Sequence, residues 1–351
     1  MAITVRADLA GIPDYVPGRK IPGAVVLSSN EVATPPPDSV VAAITEAAGE
    51  VNRYPLWSSD DLLARLAGEL AVDAGRIAIG AGSVSLTQQL IQALCMPGDE
   101  VVFPWRSFEA YPILTQIVGA RDVRVPLTPD HVQDTGALLA AITEATRIVF
   151  VCNPNNPTGT VVHAAALERF LDAVPDHVLV VLDEAYREFV TDPEVPDGLR
   201  LVDERDNLAL LRTFSKAYGL AGARVGYCVA PEHVAAGMRK VAIPFSVSRL
   251  AQAAALASLD VADELRARCA AVVAERRRVR DELLALGYEV PGSEGNFVWL
   301  PLGERTMAFN EHCADHKVLV RSFAGAGSRV TIGLREENDA FLAAARAFPR
   351  S

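Results

Sequence analysis

The stretch "RTFSKAYGLAGARVGY", Arg212–Tyr227, decides how this chain is read. Lys216 lies between a strand-like run and a glycine-studded turn, with Thr213 and Ser215 before it and Arg224 after it. An amine beside two hydroxyls and a guanidinium offers a nucleophile next to donors suited to a phosphate. A Ser–Lys hydrolase would also use adjacent residues such as Ser215 and Lys216. Neighbouring strand-end residues point in different directions, however, and no oxyanion motif accompanies this pair.

The segments around this stretch set the fold class. Apolar runs of strand length ("EVVF", "RIVFVC", "HVLVVLD", "LALLRTF", "VGYCVA") alternate with longer helical patterns such as "SLTQQLIQALC". That alternation predicts an α/β protein with a mostly parallel sheet, covered on both faces. Beyond about residue 245 the texture changes to two helices, the strands "NFVWLPL", "VLVRSF" and "SRVTIGL", and a terminal helix. The expected organisation is a segment 1–30 packed on the site, a large domain 31–245 and a smaller α+β domain 246–351. The connector "TPPPDS" predicts a helix capped by Asp38 or Ser39, and "ERRRVR" (Glu275–Arg280) a solvated helix face.

Composition bounds the function. The 351 residues carry a formal net charge of −11, which argues against nucleic-acid binding. No run approaches the roughly 20 apolar residues of a membrane span, and the start lacks the order of a signal peptide. Five scattered cysteines without a CxxC pair read as free thiols. The expectation is a soluble, cytoplasmic protein. His312 and His316, four apart on a helix, lack an evident third metal ligand and read as an exposed face.

Ligands of open α/β sheets bind beyond the carboxyl ends of strands, and three more polar segments fall there. In "IAIGAGSVSL", Gly80, Gly82 and Ser83 form a tight turn into a helix start that suits a phosphate, a capping turn being the plain alternative. A dinucleotide fingerprint would need a third glycine where Ser85 stands. "VFVCNPNNPTGT" is a rigid loop that aims amides inward. In "LVVLDEAYREF", Asp183 ends an apolar strand where a lone charge is costly, so it should face a cation, with Tyr186 within reach of the same pocket. A lysine, a buried acid and a phosphate cradle are what pyridoxal phosphate requires.

The ordered set "NPNNPTG", "DEAY" and "TFSKAYGLAGARVG" resembles the fold-type-I aminotransferases, and within them the histidinol-phosphate aminotransferase group. "LSSNE" (Leu27–Glu31, with Asn30), "NRYP" (Asn52–Pro55), "GSVSLTQQL" and "PWRSFEAYP" (Pro104–Pro112) are similar to the aromatic, or phenylalanine, branch. The resemblance implies that Lys216 takes the aldehyde of pyridoxal 5′-phosphate and that Asp183 pairs with the ring nitrogen. Asn156 and Tyr186 would bond the phenolic oxygen. Gly82, Ser83, Thr213, Ser215 and Arg224 would hold the phosphate, and Arg329 the substrate α-carboxylate. Tyr54 resembles the residue that reaches the partner's phosphate in a homodimer. Trp105 and Phe108 both qualify as the ring stacked on the cofactor, Trp105 being preferred. Asn30 and Tyr15 are expected on the substrate side.

The chain departs from the group's pattern where Val84 and Ser85 replace an acidic pair, and where Leu56 and Trp57 follow Tyr54 and Pro55. The first departure fits the aromatic branch; the second has no explanation in the sequence. The implied reaction moves an amino group between phenylalanine or tyrosine and a 2-oxo acid such as 2-oxoglutarate. Arg321 matches an arginine that contacts the substrate phosphate in histidinol-phosphate enzymes and so keeps that alternative open. A related decarboxylase or a cofactor-binding regulatory module are the remaining readings.

Overall fold

The computed structural model describes residues 21–349, together with 3–6, 9, 11–12 and 19. Its strands are β1 (Val25–Leu27), β2 (Ile77–Gly80), β3 (Glu100–Trp105), β4 (Arg121–Pro126), β5 (Thr146–Cys152), β6 (Leu179–Asp183), β7 (Leu208–Thr213), β8 (Gly226–Val229), β9 (Phe297–Leu300), β10 (Val318–Phe323) and β11 (Gly327–Thr331). Seven of them form one sheet in the order β2-β8-β7-β6-β5-β3-β4. Strands β3 to β7 run parallel, and β8 is antiparallel to both of its neighbours.

Branched and aromatic side chains account for the central strands. Along β5 and β6, Val149, Val151, Val180 and Leu182 enter one core, and Ile148, Phe150 and Val181 the opposite one. Each such burial contributes about 1.5–3 kcal/mol, and only a strand covered on both faces collects it at every position. Helices Asp38–Ala48 and Arg249–Leu259 cover the first face; Ser83–Leu94 and Glu232–Val241 cover the second.

The second sheet has the order β1-β10-β11-β9, with β1 parallel to β10 and the other pairs antiparallel. Helices Ala262–Ala285 and Arg335–Ala347 pack beside it, burying Val279, Leu283, Phe341 and Leu342 with Val298 and Val330. The helix Arg249–Leu259 lies on the large-sheet side: its Ala251, Ala254, Ala255 and Leu259 belong to that core. We therefore propose a division near residue 260 rather than at 246.

Three local expectations are corrected. The helix Asp38–Ala48 has no side-chain cap; Pro37 stands at its N-cap with φ −53°, and the Val40 and Val41 N–H groups bond the Pro37 carbonyl. Proline presets the entry angle, and Asp38 acts inside the first turn, favourably placed against the helix dipole. Strands β1 and β4 are additional; β4 is an edge strand whose half-exposed sequence "RDVRVP" lacks a strong apolar pattern. The run "ERRRVR" is not a uniformly solvated face. Arg276 is only 3% exposed and donates to the carbonyls of Gly295 (2.8 Å) and Phe189 (3.2 Å). Arg278 joins Glu275, Glu282 and Asp339.

Among the described residues no helix is long and apolar enough to cross a membrane. All five cysteines are buried and free. Because Arg276 ties Phe189 to Gly295 and its loss leaves both carbonyls unpaired, Arg276→Ala should cost about 3 kcal/mol. The exposed neighbour Arg277→Ala should stay within about 0.5 kcal/mol. Equilibrium urea unfolding distinguishes the two, and equal effects would return the whole run to solvent.

Candidate active site

Parallel pairing puts the ends of β5, β6 and β7 side by side, with Cys152 opposite Asp183 and Asp183 opposite Leu211. The chain runs outward from β3 to β4 but in the other direction from β5 to β7, so a crevice opens between the ends of β3 and β5. Ser107, just past β3, donates to Asn155 in that crevice at 2.8 Å.

Asp183 is 3% exposed. Its carboxylate accepts from the Tyr111 hydroxyl at 2.7 Å and from the Ala185 N–H at 3.2 Å. Burial raises its pKa, an effect the Tyr111 hydrogen bond opposes. Among the described residues no ammonium or guanidinium lies within ion-pair distance of it. The expected facing cation is thus not a side-chain partner; a neutral phenol takes that place, and Lys216 acts from farther off.

Lys216 follows β7, and its Nζ donates to the Ser29 carbonyl at 3.2 Å and lies 6.0 Å from the Tyr186 ring centre. Burial first, then Arg329 and Arg224, lower its pKa to about 8, against the pull of Glu31 and Asp183. Arg224, in the left-handed region at φ 60°, donates to Ser215 Oγ at 3.1 Å, and the Ser215 N–H donates to Thr213 Oγ1 at 3.1 Å. Opposite them the helix Ser83–Leu94 begins at Gly82, φ +82°. A Cβ on Gly82 would lie 2.5 Å from Arg224 Nη2, and one on Gly226 would lie 3.1 Å from the Ser83 nitrogen. Only glycine lets these three elements converge on a helix N-terminus, a natural phosphate seat.

The second sheet supplies the other wall. Arg329, 8% exposed on β11, donates through Nη1 to the Asn156 side-chain oxygen at 2.6 Å and through Nη2 to the Ser28 carbonyl. Its Nε is buried without a hydrogen-bond partner. Asn30, at φ 53°, donates to the Tyr186 hydroxyl at 2.9 Å. It is fixed by the Thr331 hydroxyl on its Oδ1 (3.0 Å) and by Asn296 on its carbonyl (3.1 Å). Burial raises the Tyr186 pKa to about 12.

The structure therefore brings Lys216, Asp183, Asn156, Tyr186, Asn30, Arg329 and the Gly82–Arg224 cradle to one place. Tyr54 stays apart: it is 77% exposed and stacks on Phe245 at 4.7 Å. Tyr15 lies outside the described residues. Two guanidiniums, of Arg106 and Arg124, each lie 4.7 Å from the Trp105 ring centre. Phe108 meets Tyr111 edge-on at 5.5 Å. Arg321 is paired with Glu109. Sequence reasoning missed Tyr111, Asn296, Thr331 and Glu109. Tyr111 and Glu109 sit inside "PWRSFEAYP", where a hydroxyl and a carboxylate among apolar residues were the available signal.

The family model for aminotransferase class I and II matches residues 22–345. The chain belongs to the class I and II aminotransferases. It is 57% identical over 348 residues to an aromatic amino acid aminotransferase of Streptomyces coelicolor, covering 98% of this chain and 97% of that one. To one of Thermobifida fusca it is 54% identical over 350 residues, covering 99% and 97%. The crystal structure of a histidinol-phosphate aminotransferase from Sinorhizobium meliloti, in complex with pyridoxal-5′-phosphate, superposes with TM-score 0.90 at 30% identity, covering 97% and 96%. The large parallel-dominated sheet is that of the fold-type-I aminotransferases.

The crowding of Lys216 by burial and two arginines has a direct readout in the cofactor-free aminotransferase. Modification of Lys216 by an aldehyde reagent, mapped by mass spectrometry, should rise with pH to a midpoint near 8. An ordinary lysine titrates near 10.4, and a midpoint there would mean that the amine is solvated.

Proposed function

We propose that this aminotransferase moves an amino group between an aromatic amino acid and a 2-oxo acid, with pyridoxal 5′-phosphate as its cofactor. The grouping of Lys216, Asp183 and Arg329 around one cleft carries the reading, and the names of the Streptomyces and Thermobifida relatives support the aromatic class. The residues fit the cofactor. Asp183 is a buried acid without an ionic side-chain partner, suited to a cationic ring nitrogen. The Gly82–Ser83 turn, Thr213, Ser215 and Arg224 suit a phosphate, and a Cβ at Gly82 would fill that cradle. Asn156 and Tyr186 would donate to the cofactor's phenolic oxygen.

Bound there, the cofactor supplies an electron sink for the bonds at the substrate Cα. Lys216, with a midpoint of about 8, is neutral in an appreciable fraction near neutral pH and takes and returns the Cα proton. Arg329 orients the substrate through its α-carboxylate, its guanidinium being held by uncharged acceptors that leave its charge in place. Asn30 holds the Tyr186 hydroxyl toward the cleft. We assign the stacking ring to Phe108 rather than Trp105. Phe108 touches Tyr111, the partner of Asp183, whereas Trp105 is engaged by Arg106 and Arg124.

The active unit is proposed to be a homodimer acting in the cytoplasm. Tyr54, Leu56, Trp57, Ile243 and Phe245 form an exposed apolar patch, with Tyr54 and Trp57 both against the Phe245 ring. A patch of this kind is costly to leave in water. Phe245→Glu should therefore sediment as a monomer and lose most turnover, while the parent sediments as a dimer. A fully active, monodisperse parent monomer would refute the shared site.

The substrate class is tested by single-turnover mixing of the loaded enzyme with phenylalanine, tyrosine, histidinol phosphate and glutamate, followed by the cofactor absorbance. Phenylalanine or tyrosine should react at least as efficiently as histidinol phosphate. A hundredfold preference for histidinol phosphate would replace the aromatic reading.

A further inference from the structure

Arg321 lies directly opposite Arg329 in the β10–β11 ladder. Two guanidiniums side by side suit a dianionic phosphate, whereas a carboxylate monoanion needs one. Histidinol phosphate carries its phosphate on the carbon that replaces the α-carboxyl group of an amino acid. The charge available beside Arg329 therefore bears on which head group binds.

Here that charge is neutralised locally. Glu109 Oε2 accepts from Arg321 Nη2 at 2.7 Å and from Nε at 3.2 Å, so one carboxylate oxygen engages both guanidinium edges. Glu109 also bears electrostatically on Arg106 and on Arg329. Arg106 and Arg321 each lie 5.7 Å from the Phe323 ring centre, so Glu109 is the carboxylate acting among these arginines. The Arg321–Glu109 contact spans 212 residues of sequence and joins the two sheets' sides of the cleft.

We propose that Glu109 is a selectivity residue that sets the enzyme's preference for an α-carboxylate over a phosphate head group. With Glu109 ionised, Arg321 presents no net charge and Arg329 alone meets the substrate, matching one carboxylate. A phosphate must either displace Glu109 from Arg321 or bind beside a like charge, and both oppose it. This deepens the aromatic amino acid reading and rests on it.

The test is Glu109→Gln, with Glu109→Ala as a second route to the same loss of charge. Two ligands that share a phenyl ring and an ethyl spacer, 3-phenylpropionate and 2-phenylethyl phosphate, isolate the head group. Their Kd values are measured on the holoenzyme by calorimetry, alongside kcat/KM for phenylalanine and histidinol phosphate. A freed guanidinium adds a charge-assisted phosphate contact of about tenfold to a hundredfold. Both variants should therefore tighten phenylethyl phosphate at least tenfold relative to phenylpropionate. They should also raise the ratio of kcat/KM for histidinol phosphate over phenylalanine, chiefly through KM. Adding Arg321→Ala to Glu109→Gln should abolish the gain.

A ratio that is unchanged or falls in both variants overturns the proposal, since general damage weakens both ligands alike. A gain that survives Arg321→Ala overturns it too. The parent enzyme's own order of substrates tests the aromatic reading independently of either variant.

Discussion

The site is organised by one costly placement, a carboxylate at the end of a strand whose every residue is buried. An unpaired charge in such a position raises its own pKa rather than remain ionised, and Asp183 responds in that direction. The sign follows from linkage. A folded-state pKa raised above the unfolded value costs stability as pH rises from the unfolded value through the folded one, and that cost persists at neutral pH. Tyr111 offsets part of it. Its hydroxyl donates to Asp183, and its ring is clamped by stacking on Phe150 at 4.4 Å, which keeps the donor aimed. A ligand that brings a cation to this carboxylate contributes binding energy and folding stability together.

The opposite charge is gathered from both sheets, Lys216 and Arg224 from the turn after β7 and Arg329 from β11. Arg329 and Arg224 both act electrostatically on Lys216, and the lysine is the member able to relieve the repulsion by releasing its proton. Arginine cannot do so at accessible pH. The same crowding thus leaves two fixed cations for anionic groups and one amine that is neutral part of the time. A phosphate at the Gly82 turn and a carboxylate at Arg329 would use the fixed charges, leaving the amine to act as base and nucleophile.

Much of this was legible from local sequence because the chemistry sits at the ends of apolar strands. "RIVFVC", "HVLVVLD" and "LALLRTF" mark β5 to β7, and the polar residues that follow them gather at the candidate site. The contacts that were not legible join distant positions. Tyr111 reaches Asp183 across 72 residues, Asn30 reaches Thr331 across 301, and Asn296 reaches Asn30 across 266. No local period encodes such pairs. Arg276 escaped for a related reason: its neighbours in sequence are solvated, and only packing against Phe189 and Gly295 distinguishes it. Trp105 was favoured as a ring available to a cofactor, yet the structure engages it with Arg106 and Arg124, one of them from the adjacent strand β4.

Arg329 shows how the two sheets share one task. A guanidinium carries five N–H donors. Two of its bonds go to fixed acceptors, the Asn156 side-chain oxygen from the large-sheet side and the Ser28 carbonyl beyond β1. Those acceptors hold the plane of the group without neutralising it, because both are uncharged. A carboxylate partner at the same place would have held it equally well and cancelled its charge. Arg321, one strand away, has that arrangement with Glu109. The two arginines thus differ less in position than in what faces them, amide and peptide oxygens for one and a carboxylate for the other. Within this pair, that difference leaves one guanidinium without a carboxylate partner, the number that an amino acid's α-carboxylate would require.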